Sequence, residues 1–245
     1  MKYIFLASMF AIAVQAAEPT AKAPVLAELF TSEGCSSCPP ADALLMKLDQ
    51  TQPVAGSQII VLSEHVDYWN SLGWNDPFST AQFTKRQEMY GRSLSAESYT
   101  PQLVIDGRTE IVGSDGKGIL AAVTREAARA KTPVRIVSVK REGNEAVVSL
   151  AVSAALQKGD VWVAIADDRD QTAVKRGENS GRTLNHVAVV RSLGKVGTVA
   201  KGAGLDKTVR VPLNTQAADL RVVVFVEDSA GPVSGVAIER IGDFR

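Results

Sequence analysis

Between residues 25 and 131 the apolar positions change period repeatedly, from continuous strand-like runs to helical spacing and back. Val25 to Phe30 (VLAELF) reads as a short buried strand, Thr31 to Gly34 as a turn, and from Ala41 the residues Leu44, Leu45 and Leu48 recur at helical spacing. Gln58 to Val66 (QIIVLSEHV) is a second apolar run. Phe78 to Leu94 is a helix-length segment introduced by Asp76-Pro77, a cap followed by a proline suited to a first helical turn. Gln102 to Asp106 and Thr109 to Val112 predict strands joined by the turn Asp106-Gly107-Arg108. Lys117 to Lys131 then places Ile119, Leu120, Val123 and Ala127 on one helical face. The order predicted is β-α-β-α-β-β-α.

After Thr132-Pro133 the helical period fades. Val134 to Lys140, Ala146 to Val152, Val161 to Asp167, Leu184 to Arg191, Thr208 to Leu213, Leu220 to Glu227 and Gly235 to Arg240 alternate apolar with polar residues and are rich in valine. Turn signals such as Glu142-Gly143-Asn144 and Lys158-Gly159-Asp160 separate them. About seven short strands in succession predict an antiparallel β-sandwich. The expectation is thus an α/β domain over residues 24–131 followed by an all-β antiparallel sandwich domain over residues 133–245.

Composition narrows the function classes. The chain has 245 residues, 45% hydrophobic, with 27 Lys+Arg against 27 Asp+Glu. Phosphate binding needs clustered base, so a balanced chain without a basic run argues against nucleic acid as a partner. Residues 1–16 (MKYIFLASMFAIAVQA) carry Lys2, an apolar run from Ile4 to Val14 and small residues Val14 and Ala16 at signal-peptidase spacing. They read as a signal peptide, too short to span a bilayer, which requires about 18–20 apolar residues. Its removal takes Lys2 from the 27 bases and leaves 26 against 27 acids. The expectation is an exported protein, periplasmic or secreted, with no integral membrane segment after cleavage.

Cys35 and Cys38 are the only cysteines, separated by Ser36 and Ser37. A structural disulfide in an exported protein usually closes a longer loop, because its stabilisation grows with the residues spanned. The worth of a four-residue clasp is chemical: one thiolate can attack a mixed disulfide made by the other. Strand, dithiol and helix follow in that order, so the sulfurs sit at a helix entrance, where the macrodipole favours thiolate. C-x-x-C is also shared with metal sites.

The segments GCSSCPPAD (Gly34 to Asp42), EHVDYWN (Glu64 to Asn70) and YTPQLVIDGR (Tyr99 to Arg108) resemble the thioredoxin superfamily, and most of all a group of uncharacterised secreted thioredoxin-like proteins that also carries RGENSGRTLNHVAVVR (Arg176 to Arg191). The resemblance implies a thioredoxin-like first domain with a thiol–disulfide oxidoreductase site. Cys35 would be the exposed attacking cysteine and Cys38 the buried resolving one. Pro101 would be a cis-proline facing them, with the Thr100 backbone pairing to an extended substrate; the plainer reading is a trans proline opening a strand. The sequence departs from the superfamily at Gly34, where an aromatic residue is usual, and at the Ser-Ser dipeptide.

Two further groups are candidates for proton transfer. Glu28 lies in the first strand near where thioredoxins keep a buried acid, but the spacing is one residue longer, and one residue in a strand exchanges faces. His65 ends the second strand and could reach Cys35, or could simply be hydrogen-bonded in the strand-to-helix connection. Asp67, Tyr68, Trp69 and Trp74 read as packing and capping that connection. The polar stretch Arg176 to His186, with Glu178, Asn179, Arg182 and Asn185, is either a surface facing the dithiol or a hydrogen-bonded loop.

Three functions compete. The first is an exported oxidoreductase acting on protein or small-molecule disulfides or dithiols, recycled by an unidentified redox partner and needing no cofactor or resident metal. The second is a Cu(I) metallochaperone using Cys35, Cys38 and His65. The third is a non-catalytic binding module.

Overall fold

A computed structural model describes residues 22–229 and 231–242; the expected signal peptide over residues 1–16 lies outside the described residues. Every element expected in the first half forms: β1 (Ala23–Thr31), α1 (Pro39–Thr51), β2 (Ser57–His65), α2 (Ala81–Leu94), β3 (Gln102–Ile105), β4 (Thr109–Val112) and α3 (Gly116–Ala127). The second half supplies β5 (Val134–Glu142), β6 (Glu145–Val152), β7 (Gly159–Ala173), β8 (Thr183–Val199), β9 (Leu205–Pro212), β10 (Leu220–Asp228) and β11 (Val233–Ile241). Among the described residues no helix is long and apolar enough to cross a membrane.

The architecture corrects the expected fold class. There is no thioredoxin-like α/β domain followed by a sandwich closed on itself. Instead, one mixed eight-stranded sheet runs β11-β10-β7-β8-β2-β1-β3-β4 through both halves of the chain, and β5-β6-β9 form a separate three-stranded sheet. The junction is a short parallel pairing, Ser63 of β2 opposite Val189 of β8. β8 thereby covers the edge that β2 would otherwise leave with unpaired backbone groups.

Side-chain alternation explains how one sheet serves two cores. On β7, Val161, Val163 and Ile165 face the three-stranded sheet, where they meet Val148 and Leu150. Ala164 and Ala166 face the other way, into the core shared with Leu26, Leu45 and Ile119. β10 repeats the division, with Val222, Val224 and Val226 on one side and Val223 and Phe225 on the other. Burial on both faces is why β10 reads as the unbroken run LRVVVFV.

The β3–β4 turn ties these parts together. Asp106 (φ 47°) and Gly107 (φ 60°) both have positive φ, the geometry that a tight hairpin demands. The Asp106 carboxylate accepts the Leu26 N–H at 2.8 Å and pairs with Lys131, while its carbonyl accepts the Val233 N–H. Burial raises its pKa to about 6, against the opposing charge of Lys131. A carboxyl raised on folding stabilises the native state below its ordinary value of 3.8, and that contribution is lost as pH rises through about 6. NMR titration should therefore find an Asp106 midpoint near 6; an ordinary carboxylate value there would contradict this account.

Candidate functional site

β1 delivers the chain into a tight loop. The Cys35 N–H donates to the Ser32 carbonyl at 3.1 Å and the Cys38 N–H to the Cys35 carbonyl at 3.3 Å. The two cysteines are disulfide-bonded, with Cα atoms 5.4 Å apart. Cys38 is the N-cap of α1, and Pro39 and Pro40 fill its first turn. Prolines carry no N–H, and the first donors beyond them, Ala41 and Asp42, both bond the Cys38 carbonyl, at 2.8 and 3.1 Å. The macrodipole remains at this terminus, but those backbone donors are already used. Cys35 Sγ lies 3.4 Å from the Ser37 hydroxyl.

The expectation of an exposed Cys35 is not met. Both cysteines have 0% exposure, although Ser36 and Ser37 between them are exposed. The physical reason lies in the second half of the chain, whose β7–β8 loop grips the dithiol loop. Asn179 Nδ2 donates to the carbonyls of Glu33 and Cys35, both at 2.9 Å, and Glu178 Oε2 accepts the Ser36 N–H at 3.1 Å. Within the stretch Arg176 to His186, Glu178 and Asn179 thus contact the dithiol loop, whereas Asn185 bonds Gln171 on β7.

On the other side Trp69 packs against the loop. A Cβ on Gly34 would lie 3.1 Å from Trp69 Cβ, which accounts for glycine where the resemblance would put an aromatic. Trp69 Nε1 donates to Thr100 Oγ1 at 2.8 Å. The Thr100–Pro101 peptide is cis. A Cβ on Gly113 would meet both Ala41 Cβ at 3.0 Å and Pro101 Cβ at 3.2 Å, so Gly113 touches both Pro101 and the first turn of α1.

Behind the dithiol lies a buried acid–imidazole network. His65 Nδ1 bonds Asp76 Oδ2 at 2.7 Å, and the same oxygen accepts the Glu33 N–H at 2.8 Å. His186 Nε2 lies 3.3 Å from Glu33 Oε1, while Glu33 Oε2 accepts Trp74 Nε1 at 2.7 Å. Asp42 accepts the Thr31 hydroxyl at 2.9 Å and lies 3.9 Å from His186 Nδ1. The two imidazoles meet edge to face, 4.8 Å between centroids, with Phe78 against both. Burial opposes a charge on His65, but the adjacent Asp76 carboxylate and the nearby Asp42 and Glu33 raise its pKa overall. Burial would raise Asp76; the His65 charge and hydrogen bond, with the N–H groups of Glu33 and Phe78, outweigh it and hold that carboxyl low. Asp42 goes the other way, raised by burial more than its imidazole neighbours lower it.

Glu28 belongs elsewhere. It is completely buried and bonds the Arg86 guanidinium at 2.7 Å and the Tyr90 hydroxyl at 2.6 Å. Arg86 also reaches Glu227 at 3.2 Å and Glu64 at 3.6 Å. Among the described residues no group of three or more His, Cys, Asp or Glu side chains is arranged to hold a metal ion.

Nothing in the sequence marks Asp42 or Trp74 as site residues, and the Asp76-Pro77 pair suggests a helix cap. α2 instead begins at Ala81 with Thr80 at its N-cap, and Asp76 is spent on His65, Glu33 and Phe78. One signal was available: the chain has only two histidines, and both lie in this network.

The geometry defines a chain whose C-x-x-C loop is built jointly by its two halves. A crystal structure of a protein from Agrobacterium tumefaciens is similar over that whole extent, with 32% identity, a TM-score of 0.69, and coverage of 94% of this chain and 98% of that one. The OgpA structure from Akkermansia muciniphila is far more distant, with 12% identity, a TM-score of 0.28, and coverage of 57% of this chain and 40% of that one. No curated protein matches the chain. Residues 26–227 match the family described as "Protein of unknown function (DUF1223)", and the chain belongs to that family.

Proposed function

We propose that this protein is an exported thiol–disulfide oxidoreductase in which Cys35 attacks and Cys38 resolves. The observation that carries the reading is a disulfide closing a loop of sequence separation 3 at the amino end of a 13-residue helix. By the chain-entropy estimate a four-residue loop contributes about 2 kcal/mol, less than the ~3 kcal/mol of a 15-residue loop. Such a bond stabilises the fold less than a longer-range one and keeps two sulfurs within exchange distance. The resemblance of GCSSCPPAD and YTPQLVIDGR to the thioredoxin superfamily supports the same reading, and the apolar run of residues 4–14 supports export.

In the reduced protein the Cys35 thiolate attacks one sulfur of a substrate disulfide. A mixed disulfide forms and the other substrate sulfur leaves as thiolate. Cys38 then loses its proton and attacks Cys35 Sγ, releasing the second substrate thiolate and restoring the Cys35–Cys38 bond. The substrate gains two electrons and the enzyme dithiol loses them; the reverse sequence oxidises a substrate dithiol. Either direction requires Cys35 to be uncovered.

The test is a trapping experiment. Cys38→Ser should accumulate a mixed disulfide through Cys35 with a disulfide peptide or glutathione disulfide, visible as an added mass that dithiothreitol removes. Cys35→Ser should trap none. Equal absence of adduct from the wild type and both variants under native conditions would dispose of the proposal.

A further inference from the structure

We infer that Asn179 is a positioning residue for the redox pair, and that the β7–β8 loop is the strap that keeps Cys35 sealed in the oxidised state. The inference deepens the oxidoreductase reading and rests on it for its purpose, though not for its measurement.

The strap is a preformed unit. Its ends are tied by the Val174 N–H to the Arg182 carbonyl and the Gly181 N–H to the Val174 carbonyl, both at 2.9 Å. Gly177 (φ 73°) and Gly181 (φ 80°) turn the backbone on either side of Asn179. Around it residues 175–178 and 180–182 are exposed, yet Asn179 itself has 0% exposure. An exposed loop that buries its one amide against another segment's backbone is anchoring that segment.

The anchor acts where a sulfur would have to move. The Cys35 carbonyl accepts both the Cys38 N–H and Asn179 Nδ2, so both of its lone pairs are engaged. Asn179 Oδ1 is held in turn by Arg182 Nη1 at 2.8 Å, which fixes which end of the amide faces the dithiol loop. Glu178 ties the other side of the same Cys35–Ser36 peptide by accepting the Ser36 N–H. Bringing Cys35 Sγ to the surface requires its peptide to rotate, and that rotation breaks the bonds to Asn179 and Glu178 together. Because Gly177 lies against Trp74, whose indole holds Glu33, release of the strap is also transmitted to the buried acid behind the site.

The full-length oxidised protein is reduced by dithiothreitol, whose two thiols become a cyclic disulfide as Cys35 and Cys38 become thiols, and the thiols are counted with a maleimide. Asn179→Ala should be reduced about tenfold faster than wild type, as expected for losing hydrogen bonds from the closed state. Glu178→Ala, at an exposed position that does not threaten folding, should be about threefold faster, and Glu178→Gln, which keeps an acceptor for the Ser36 N–H, should return to the wild-type rate. Lys175→Ala, an exposed side chain on the same loop without a bond to the dithiol segment, should not differ from wild type. Amide exchange in β1 and β2 measured alongside should stay protected in every variant.

Wild-type reduction rates in both Asn179→Ala and Glu178→Ala would overturn the inference. So would an acceleration matched by equal loss of protection in β1 and β2, since that is global unfolding rather than release of a strap. If the variants accelerate as stated while Cys38→Ser traps nothing, the strap stands and the oxidoreductase reading falls.

Discussion

Arg86→Met should be the most destabilising single substitution among the polar residues described above, lowering stability by about 3–5 kcal/mol, the usual consequence of removing one partner from a buried ionic cluster. Arg86 is 6% exposed and Glu28, Glu64 and Glu227 are 0, 0 and 6% exposed. The one guanidinium bonds Glu28 and Glu227, donates to the Tyr90 hydroxyl at 2.8 Å and lies over the rings of Tyr90, Phe225 and Trp162 at 5.0, 5.3 and 5.8 Å. It joins α2 to β1 and β2 on one side and to β10 on the other, so it links the two halves of the chain. Burial, then the Glu28 charge, holds the Glu64 carboxyl well above its ordinary value of 4.5, and burial raises Glu227 as well.

Methionine fills part of the space but leaves the carboxylates without their cation, and Glu64 and Glu227 should then bind protons more tightly still. A carboxyl raised on folding favours the native state at low pH, so the variant should recover stability as pH falls towards 4.5 and lose it as pH rises through the raised values. Urea denaturation of wild type and variant across that range is the measurement. A loss below about 1 kcal/mol at neutral pH, the scale of an exposed ion pair, would mean that the cluster is not acting as a buried one.

Asp76→Asn should follow, with a loss of about 2–4 kcal/mol, because one carboxylate serves three donors in a closed interior. Its Oδ2 takes both His65 and the Glu33 N–H, and its Oδ1 takes the Phe78 N–H at 2.9 Å. An amide offers one acceptor oxygen in place of two, and no charge for His65.

The pH dependence has a definite sign. His65 is raised above 6.5, so its contribution is complete below 6.5 and is lost as pH rises through the folded value. Asp76 is lowered from 3.8, so its contribution is complete above 3.8 and is lost as pH falls through the folded value. The pair therefore stabilises most between those limits. In Asp76→Asn the His65 ring resonances should titrate at lower pH than in wild type, since burial then meets less opposition. Unchanged His65 titration would show that Asp42 and Glu33 hold the imidazolium without Asp76.

The local elements were legible in the sequence because each rests on a period or a turn that neighbouring residues settle among themselves. The helical recurrence of Leu44, Leu45 and Leu48, the Asp106-Gly107 turn and the valine-rich runs after Pro133 all correspond to elements that form. The proximity of the two cysteines was equally local: four residues of chain leave them little choice. Which strand edges meet is a different matter. β2 and β8 are joined through Ser63 and Val189, and nothing in either segment names the other, because an apolar strand with two buried faces suits any neighbour that satisfies its backbone.

For the same reason the sequence could not say that Asn179 reaches the Cys35 carbonyl across 144 positions, that His186 stands beside His65, or that Glu28 turns to Arg86. Those contacts depend on strand face and register, where one residue of shift sends a side chain to the other side of the sheet. Residue order alone determined that two sulfurs stand together at the start of a helix. Only the packing of one half against the other decided that they are covered, and by what.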